Sequence, residues 1–505
     1  MLKEIPSAFQ APPPWVPQSE KYLTGQARGR GEDYIMKKLI PQSLKNIYHL
    51  FQAILANVWF GFPSRKIKVI GVTGTDGKTT TVQLISKILE EGGFPENPKS
   101  GLGARKVAMA STINFKIDQR EWVNLSHFTT LSAFAVQKFI RQAVDANCEY
   151  LVLETSSHSL DQHRVWGINY KTAVITNVTR EHLDYHKTMK KYRQAKRKLF
   201  DKVETAIVSL DMKNPDDFLN CGARNIFGYS LKNENYKLQT TSCKLTPIIA
   251  EDIELGINYS KFKIQNLPAG RQGSKFTLNL VGDFNIENAL AAISVGISEG
   301  IDLKTCAKAI KEIKGVPGRM EYVPNEKGLN ILVDFALTPE ALGKLYSLLA
   351  KIKKPEARII AVFGACGERD RGKRPIIGEI VARYADFVIV TNDEPYHEDP
   401  VWIINEVFKG VIGQNITTDI PNFKFQISNF KSISNNIIFN KKKIEGANCW
   451  RIMDRREAIR FALNIAQADD IIAVTGMGAE ESMVVGDKKI PWNDKKVILE
   501  ELNTL

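Results

Sequence analysis

Val69-Ile-Gly-Val-Thr-Gly-Thr-Asp-Gly-Lys-Thr-Thr-Thr81 decides how this chain is read. An apolar strand runs into a glycine-rich turn, and a lysine and hydroxyl residues follow where a helix should begin. Backbone amides freed at Gly74 and Gly77, with Thr75 and Asp76 between them, can wrap phosphate oxygens. Lys78 supplies a point charge to the β/γ-phosphates, and Thr79, followed by Thr80, offers a hydroxyl to magnesium. The spacing is not the strict G-x-x-x-x-G-K-[ST], because Val72 stands where its first glycine belongs. The plainer alternative is a glycine-rich loop with an ordinary surface lysine. The order of strand, turn and helix favours the phosphate loop.

Working outward, 505 residues allow about three domains of typical size. A hydrophobic content of 43% and a charged content of 25% describe an ordinary globular protein. The net charge of +13 suits anionic partners. No interleaved aromatic and basic motif is present, so no nucleic-acid partner is expected. Six cysteines lie far apart with no C-x-x-C pair, which excludes a zinc ribbon or redox dithiol and points to a reduced, cytoplasmic setting. The N-terminus lacks signal-peptide order. The apolar stretch Ile47 to Phe62 is interrupted by His49, Gln52 and Asn57 and is too short for a membrane span. It reads as a buried amphipathic helix, with peripheral membrane contact as the alternative.

Residues 1–32, with Pro12-Pro13-Pro14 and a glycine/arginine stretch, read as a flexible tail. Residues 33–66 read as largely helical, with a break at Gly61-Phe-Pro63. From 67 to 314, apolar strands alternate with helical patterns, and the strand candidates are Ile67–Val72, Tyr150–Glu154, Thr172–Thr176 and Thr205–Leu210. This predicts an α/β fold with a mainly parallel central sheet. Gly270-Arg-Gln-Gly273 marks a loop insertion. A second α/β series fills 315–505, with strands at Asn330–Phe335, Arg358–Phe363, Asp386–Thr391 and Asp470–Thr475. Residues 415–448 read as an insertion of undecided structure.

Leu151-Val-Leu-Glu154 is an apolar strand ending in an acid, a position suited to the magnesium of a bound nucleotide. Ser156, Ser157, His158, Gln162, His163 and Arg164 follow within ten residues, a density that fits a substrate loop. In Thr176-Asn-Val-Thr-Arg-Glu-His-Leu-Asp-Tyr-His186, His182 and His186 either ligate metal or merely cap and pack. The helix after them crowds Lys190, Lys191, Arg193, Arg197 and Lys198 around Lys196. Such a run is usually a solvated face, so pattern alone gives Lys196 no special role.

In this order the pieces resemble the Mur ligases, ATP-dependent amino-acid-adding enzymes of peptidoglycan synthesis, over roughly residues 67–502. Gly-Thr-Asp-Gly-Lys-Thr-Thr is similar to the family's Gly-Thr-Asn-Gly-Lys-Thr-Thr. The MurE branch is the nearest likeness, through Glu154-Thr-Ser-Ser-His-Ser-Leu-Asp-Gln-His-Arg164, Glu181-His-Leu-Asp-Tyr-His186, Gly318-Arg-Met-Glu321, Gly367–Pro375 and Ile490-Pro-Trp-Asn-Asp494. The resemblance implies a P-loop-type central domain followed by a Rossmann-like C-terminal α/β domain. It implies ATP and Mg2+ as cofactors, and UDP-muramoyl dipeptide with a free amino acid as partners of a monomer. Thr79 and Glu154 would hold a first magnesium, and His182 and a carbamylated Lys196 a second. Carbamylation turns a cation into a carboxylate-like ligand. Thr129, Thr130, Ser156, Gln162 and Arg164 match acceptor-binding positions, and Asn285 and Asn288 match adenine-side positions. Arg319 and Asp334 match C-terminal ATP contacts, brought in by domain closure. Arg369 matches the grip on the incoming carboxylate, a task suited to a guanidinium fork. Lys78, Lys196, His182 and Arg319 would form the catalytic set.

Several positions depart from the family pattern. Tyr-Ala-His-Thr-Pro is here Phe335-Ala-Leu-Thr-Pro339. The Asp-Asn-Pro-Arg signature of diaminopimelate-adding members reads Asp393-Glu-Pro-Tyr396, without the arginine that clamps a second carboxylate. Glu394 could meet an amino group instead, which makes lysine or another diamino acid one candidate addition, while the sequence leaves the added amino acid open. Gly-Lys-Gly-His-Glu has become Gly476-Met-Gly-Ala-Glu480, which keeps only the glycines and Glu480. The short helical stretch 33–66 stands in place of a uridine-binding domain, so either uridine is held differently or the substrate carries another handle. Two alternatives follow: a folylpolyglutamate synthetase-like ligase, and a non-catalytic nucleotide-binding relative.

Overall fold

The computed structural model describes residues 41–93, 105–124, 129–232, 245–265, 273–413 and 442–504. The expected tail 1–32, the start of 33–66, the loop at Gly270 and residues 415–441 of the expected insertion lie outside the described residues. The chain divides into two compact units. Residues up to 313 form the first, apart from 255–259 and 279–282, which group with 314 onward in the second.

The first unit is built on an eleven-stranded sheet in the order β11-β10-β9-β8-β7-β6-β1-β5-β2-β3-β4. β1 (Lys68–Thr73) lies between β5 (Tyr150–Glu154) and β6 (Tyr170–Ile175), parallel to both. All three are rich in Val, Ile, Leu and Ala and almost wholly buried, as a parallel strand covered on both faces must be. From β1 the helix Lys78–Glu91 leads to β2 (Val107–Ala110), beyond β5, whereas β7 (Thr205–Ser209) and β8 (Asn225–Ser230) lie beyond β6. Strand order therefore reverses at the carboxyl end of β1, where open α/β sheets form their ligand crevices.

The four strands expected here are present within two residues at each end. Unforeseen are the antiparallel edge β2, β3 (Asn114–Ile117) and β4 (Arg120–Val123), and, at the other edge, β9 (Leu245–Leu255), β10 (Ser260–Ile264) and β11 (Ser274–Leu278).

The second unit carries a six-stranded sheet, β12-β13-β17-β14-β15-β16. Its core strands β13 (Asn330–Asp334), β14 (Ile359–Phe363), β15 (Phe387–Thr391) and β17 (Ile471–Thr475) are the four read from sequence. β16 (Cys449–Ile452) joins β15 in parallel, and β12 (Glu321–Val323) closes the other edge antiparallel. A two-stranded hairpin pairs β18 (Ser482–Val485) with β19 (Lys488–Pro491).

Two sequence expectations need correction. The helix Gln42–Trp59 is not buried. It packs on the helix Ala133–Asp145 with Ala53, Ala56 and Asn57 buried, while Ile47, Phe51, Val58 and Trp59 stand exposed. Inward polar groups explain the orientation: Asn57 Nδ2 donates to Ala53 O and Trp166 O, both at 2.8 Å. The basic helix Met189–Arg197 is likewise not solvated all round. Lys190 and Lys191 are exposed, but Lys196 is only 1% exposed and shares an inward face with Tyr192 and Ala195. The i, i+4 spacing of Tyr192 and Lys196 places both side chains on one side of that helix.

Candidate active site

Three parallel strand ends converge on the turn after β1. Gly77, with φ of +80°, precedes the first helical residue, Lys78. The helix thus starts with its free amides and positive dipole end at the turn, an anion site by construction. The turn is held from β6. Thr75 N and Asp76 N both donate to Asn177 Oδ1, at 3.1 and 2.9 Å, and Thr75 N also to Asn177 O at 3.0 Å. Thr176 Oγ1 donates to Asp76 O at 2.6 Å. A β-carbon at Gly74 would overlap Thr176 Oγ1, and one at Gly77 would overlap Asn288 Oδ1. Lys78 Nζ donates to Thr75 O at 2.7 Å, so its cation lies folded over the turn.

Glu154 ends β5 beside this turn and is 1% exposed. Its carboxylate accepts from Thr79 Oγ1 (3.1 Å), Thr112 N (2.8 Å) and Thr112 Oγ1 (2.9 Å). Among the described residues no cluster of three or more His, Cys, Asp or Glu side chains is placed to hold a metal. The hard oxygens of Thr79 and Glu154 still fit magnesium, which normally takes one or two protein ligands and fills its shell with phosphate oxygens and water.

Lys196 reaches the same turn from the opposite side. Its Nζ donates to Gly74 O at 2.6 Å and lies 4.5 Å from the Tyr192 ring centroid. Burial, reinforced by the charge of Lys78, holds its amine well below the usual lysine range. The Tyr192 hydroxyl is 3.1 Å from Thr75 Oγ1. His182 is exposed, with φ of +54°, and its ring lies edge-on to those of His158 (4.8 Å) and Tyr192 (6.1 Å). His186 takes the packing role: it is buried, with Nε2 3.0 Å from Ser157 Oγ.

The acceptor-loop candidates form a connected group. Thr130 Oγ1 donates to Glu154 O at 3.1 Å and accepts from Ser156 N at 3.0 Å. Arg164 Nη1 donates to Thr130 O at 2.7 Å. Thr129 and Gln162, both half-buried, lie on the same segments. Asn285 and Asn288 share a helix, and Asn288 Nδ2 donates to Asn285 Oδ1 at 3.1 Å beside Gly77. Thr80 is buried within the first turn of the Lys78 helix.

In the second unit Asp334 Oδ2 accepts from Met320 N and Oδ1 from Ala336 N, both at 2.7 Å. These bonds fix the turn that carries Arg319, whose guanidinium stacks 4.6 Å from the Phe335 ring. Gly476 N donates to Asp334 O at 3.0 Å, and Glu480 N to Met477 O at 3.0 Å. Arg369 lies 5.9 Å from the Tyr396 ring, and the Tyr396 hydroxyl donates to Glu394 at 3.2 Å. Asp393 is buried behind them against Gly476, and neither carboxylate oxygen has a hydrogen-bond partner.

Burial pushes the Asp393 carboxyl up to about 7, against the pull of Arg455 and with help from Glu394 and Asp494. The folded state therefore binds a proton that the unfolded chain releases near pH 4. The stability this gives is present below that pH and lost as pH rises through 7. Asp393→Asn should remove this dependence. Its melting temperature should exceed that of the parent by about 3–6 °C at pH 8, and the gap should shrink toward pH 5, as scanning calorimetry would show.

Asn177, Thr176, Tyr192 and Thr112 carry weight that no motif assigned them. Their one sequence signal is position: Thr176-Asn177 follows an apolar strand as Glu154 does.

Residues 72–296 match the Mur ligase middle domain, and residues 318–478 match the Mur ligase glutamate ligase domain. The chain belongs to the Mur ligases, and is an ATP-dependent, ADP-forming ligase. It is 35% identical to the UDP-N-acetylmuramyl-tripeptide synthetase of a Roseiflexus species, over 88% of this chain and 80% of that one. It is 34% identical to the UDP-N-acetylmuramoyl-L-alanyl-D-glutamate--2,6-diaminopimelate ligase of Syntrophomonas wolfei, over 89% and 81%. A solved structure of a ligase of that same name has a TM-score of 0.55 at 28% identity, covering 87% of this chain and 78% of that one. Folylpolyglutamate synthase of Mycobacterium tuberculosis, at 14% identity, shares the fold, with a TM-score of 0.60 over 85% and 92%.

Proposed function

We propose that this ligase adds the third stem-peptide residue to UDP-N-acetylmuramoyl-L-alanyl-D-glutamate, and that the residue added is a diamino acid with one carboxylate, such as lysine. The observation that carries the reading is the convergence of Lys78, Glu154 and buried Lys196 on one phosphate turn. In the first step a carboxylate oxygen of the acceptor attacks the γ-phosphorus of ATP, ADP leaves, and an acyl phosphate forms. In the second, the amine of the amino acid attacks the acyl carbon, phosphate departs, and the amine loses a proton to leave an amide. Both reactants of the first step are anions. Lys78 and the amides of the Gly74–Gly77 turn would offset their repulsion and hold an in-line approach. Magnesium held by Thr79 and Glu154 would neutralise further phosphate charge.

Lys196 fits this scheme as a carbamate. Burial depresses its basicity, which favours the uncharged amine, the form that adds to carbon dioxide with release of one proton. The product is an anion, suited with His182 to a second magnesium. Arg319 and Asp334 are assigned to the nucleotide, and Asn285 and Asn288 to its adenine side. Thr129, Thr130, Ser156, Gln162 and Arg164 are assigned to the acceptor.

For the amino acid, Arg369 takes the carboxylate. Glu394 takes the distal ammonium, and Asp393, Gly476 and Glu480 are assigned to the same amino acid. Tyr396 offers no charge to a second carboxylate. A phosphate-release assay with ATP, magnesium, UDP-muramoyl dipeptide and an amino-acid panel tests the reading. Lysine or ornithine should support turnover at least tenfold above meso-diaminopimelate, and Glu394→Gln should erase that preference. Preference for diaminopimelate would overturn the choice of amino acid alone. Phosphate release with no amino acid at all would overturn the acceptor reading.

A further inference from the structure

We propose that the outward face of the helix Gln42–Trp59 docks on an anionic lipid bilayer. This helix is built inside out. A helix on a protein surface ordinarily turns its apolar stripe to the core and its polar residues to water. Here Asn57 donates inward to Trp166 O at 2.8 Å, and Asn46 Nδ2 to Asp161 O at 3.2 Å. The opposite side presents Leu44, Ile47, Tyr48, Phe51, Leu55, Val58 and Trp59, all at least 44% exposed. Positions 44, 47, 48, 51, 55, 58 and 59 recur at three- and four-residue intervals, so they form one stripe along a helix about 27 Å long. Phe134 widens it: its half-exposed ring packs edge-on against Phe60 at 6.4 Å.

Charge selects the occupant. The helix contains no acid. Lys45 lies near its start, and Arg65 and Lys66 follow in the 3-10 turn Pro63–Lys66. None of the three has an acidic partner among the described residues, although ion pairs are common elsewhere on this protein. An apolar stripe with aromatic side chains, no acid and basic residues at both ends is the pattern of a helix lying in a membrane interface. No described helix is long and apolar enough to cross a membrane, which fits a helix lying in the interface plane. Docking would set the acceptor loop near the lipid surface, because Gln42 and Asn46 bond to Tyr185 and Asp161 beside it. The inference stands on the helix alone and does not depend on which amino acid the ligase adds.

The test is co-sedimentation of the full chain with vesicles of phosphatidylglycerol and phosphatidylcholine (1:1) and of phosphatidylcholine alone. Binding to the anionic vesicles should exceed that to neutral ones at least tenfold and fall in 0.5 M salt. Phe51→Glu with Leu55→Glu changes only exposed side chains and should abolish binding with an unchanged melting curve. Arg65→Glu with Lys66→Glu should remove the preference for anionic lipid. No binding to anionic vesicles would overturn the proposal, and so would binding untouched by the Phe51/Leu55 change. A lipid-independent dimer, lost on that change and seen by light scattering, would assign the face to a second copy of the chain and equally overturn it.

Discussion

Lys196→Ala is expected to lower turnover by about a thousandfold or more while leaving ATP affinity within a few fold, the split expected of a group that acts on the reacting centre. The lysine is buried, its amine is held well below its usual range, and its nitrogen donates to the carbonyl of Gly74 at 2.6 Å. An ammonium there would repel the metal and Lys78, whereas a carbamate would attract both. The two states predict opposite behaviour on substitution. Lys196→Arg keeps the cation but cannot take up carbon dioxide, so it should be as inactive as the alanine variant. Small carboxylates added to Lys196→Ala should restore part of the rate by occupying the vacated volume. Steady-state kinetics with and without acetate or formate checks both, and an active arginine variant would sink the carbamate.

Gly74→Ala should cost ATP binding as well as rate, with affinity lowered at least a hundredfold. Its φ of +153° is closed to a residue with a β-carbon, and that carbon would fall on Thr176 Oγ1. Thr176 cannot swing aside freely, since it is buried, β-branched and bonded to Asp76 O at 2.6 Å. Combining Gly74→Ala with Thr176→Ala removes the overlap but not the backbone strain, so only part of the affinity should return. Calorimetric titration with a nonhydrolysable ATP analogue distinguishes these effects. Wild-type affinity in Gly74→Ala would mean that the turn does not hold the phosphates.

Much of this site is legible in the residues because it sits where strong local signals coincide. The run Val69–Thr81 joins a β-branched strand, two glycines and a helix start, and each of those has its own physical requirement. Glu154 is legible for the same reason, as a lone acid ending a run of apolar residues. The four inner strands of the second unit stand out through unbroken apolar runs dominated by Val and Ile. What escaped was direction. A run of cations says nothing about which one faces inward, and Lys196 is distinguished from Lys190 and Lys191 only by the packing of Tyr192 beneath it. The same holds for Gln42–Trp59, where composition reveals an amphipathic helix but not that its few amides prefer carbonyls at Asp161 and Trp166 to water. The outer strands β3, β4 and β10 are short and carry charged residues, so tertiary pairing rather than pattern makes them strands.

The pairing of Val72 with Glu154 across β1 and β5 has an evolutionary corollary. Because side chains alternate between faces, losing or gaining a single residue inside β5 would swing the carboxylate to the far side of the sheet and leave a different side chain at the phosphate turn. The five residues from Tyr150 to Glu154 must therefore keep their number for the acid to stay at the turn.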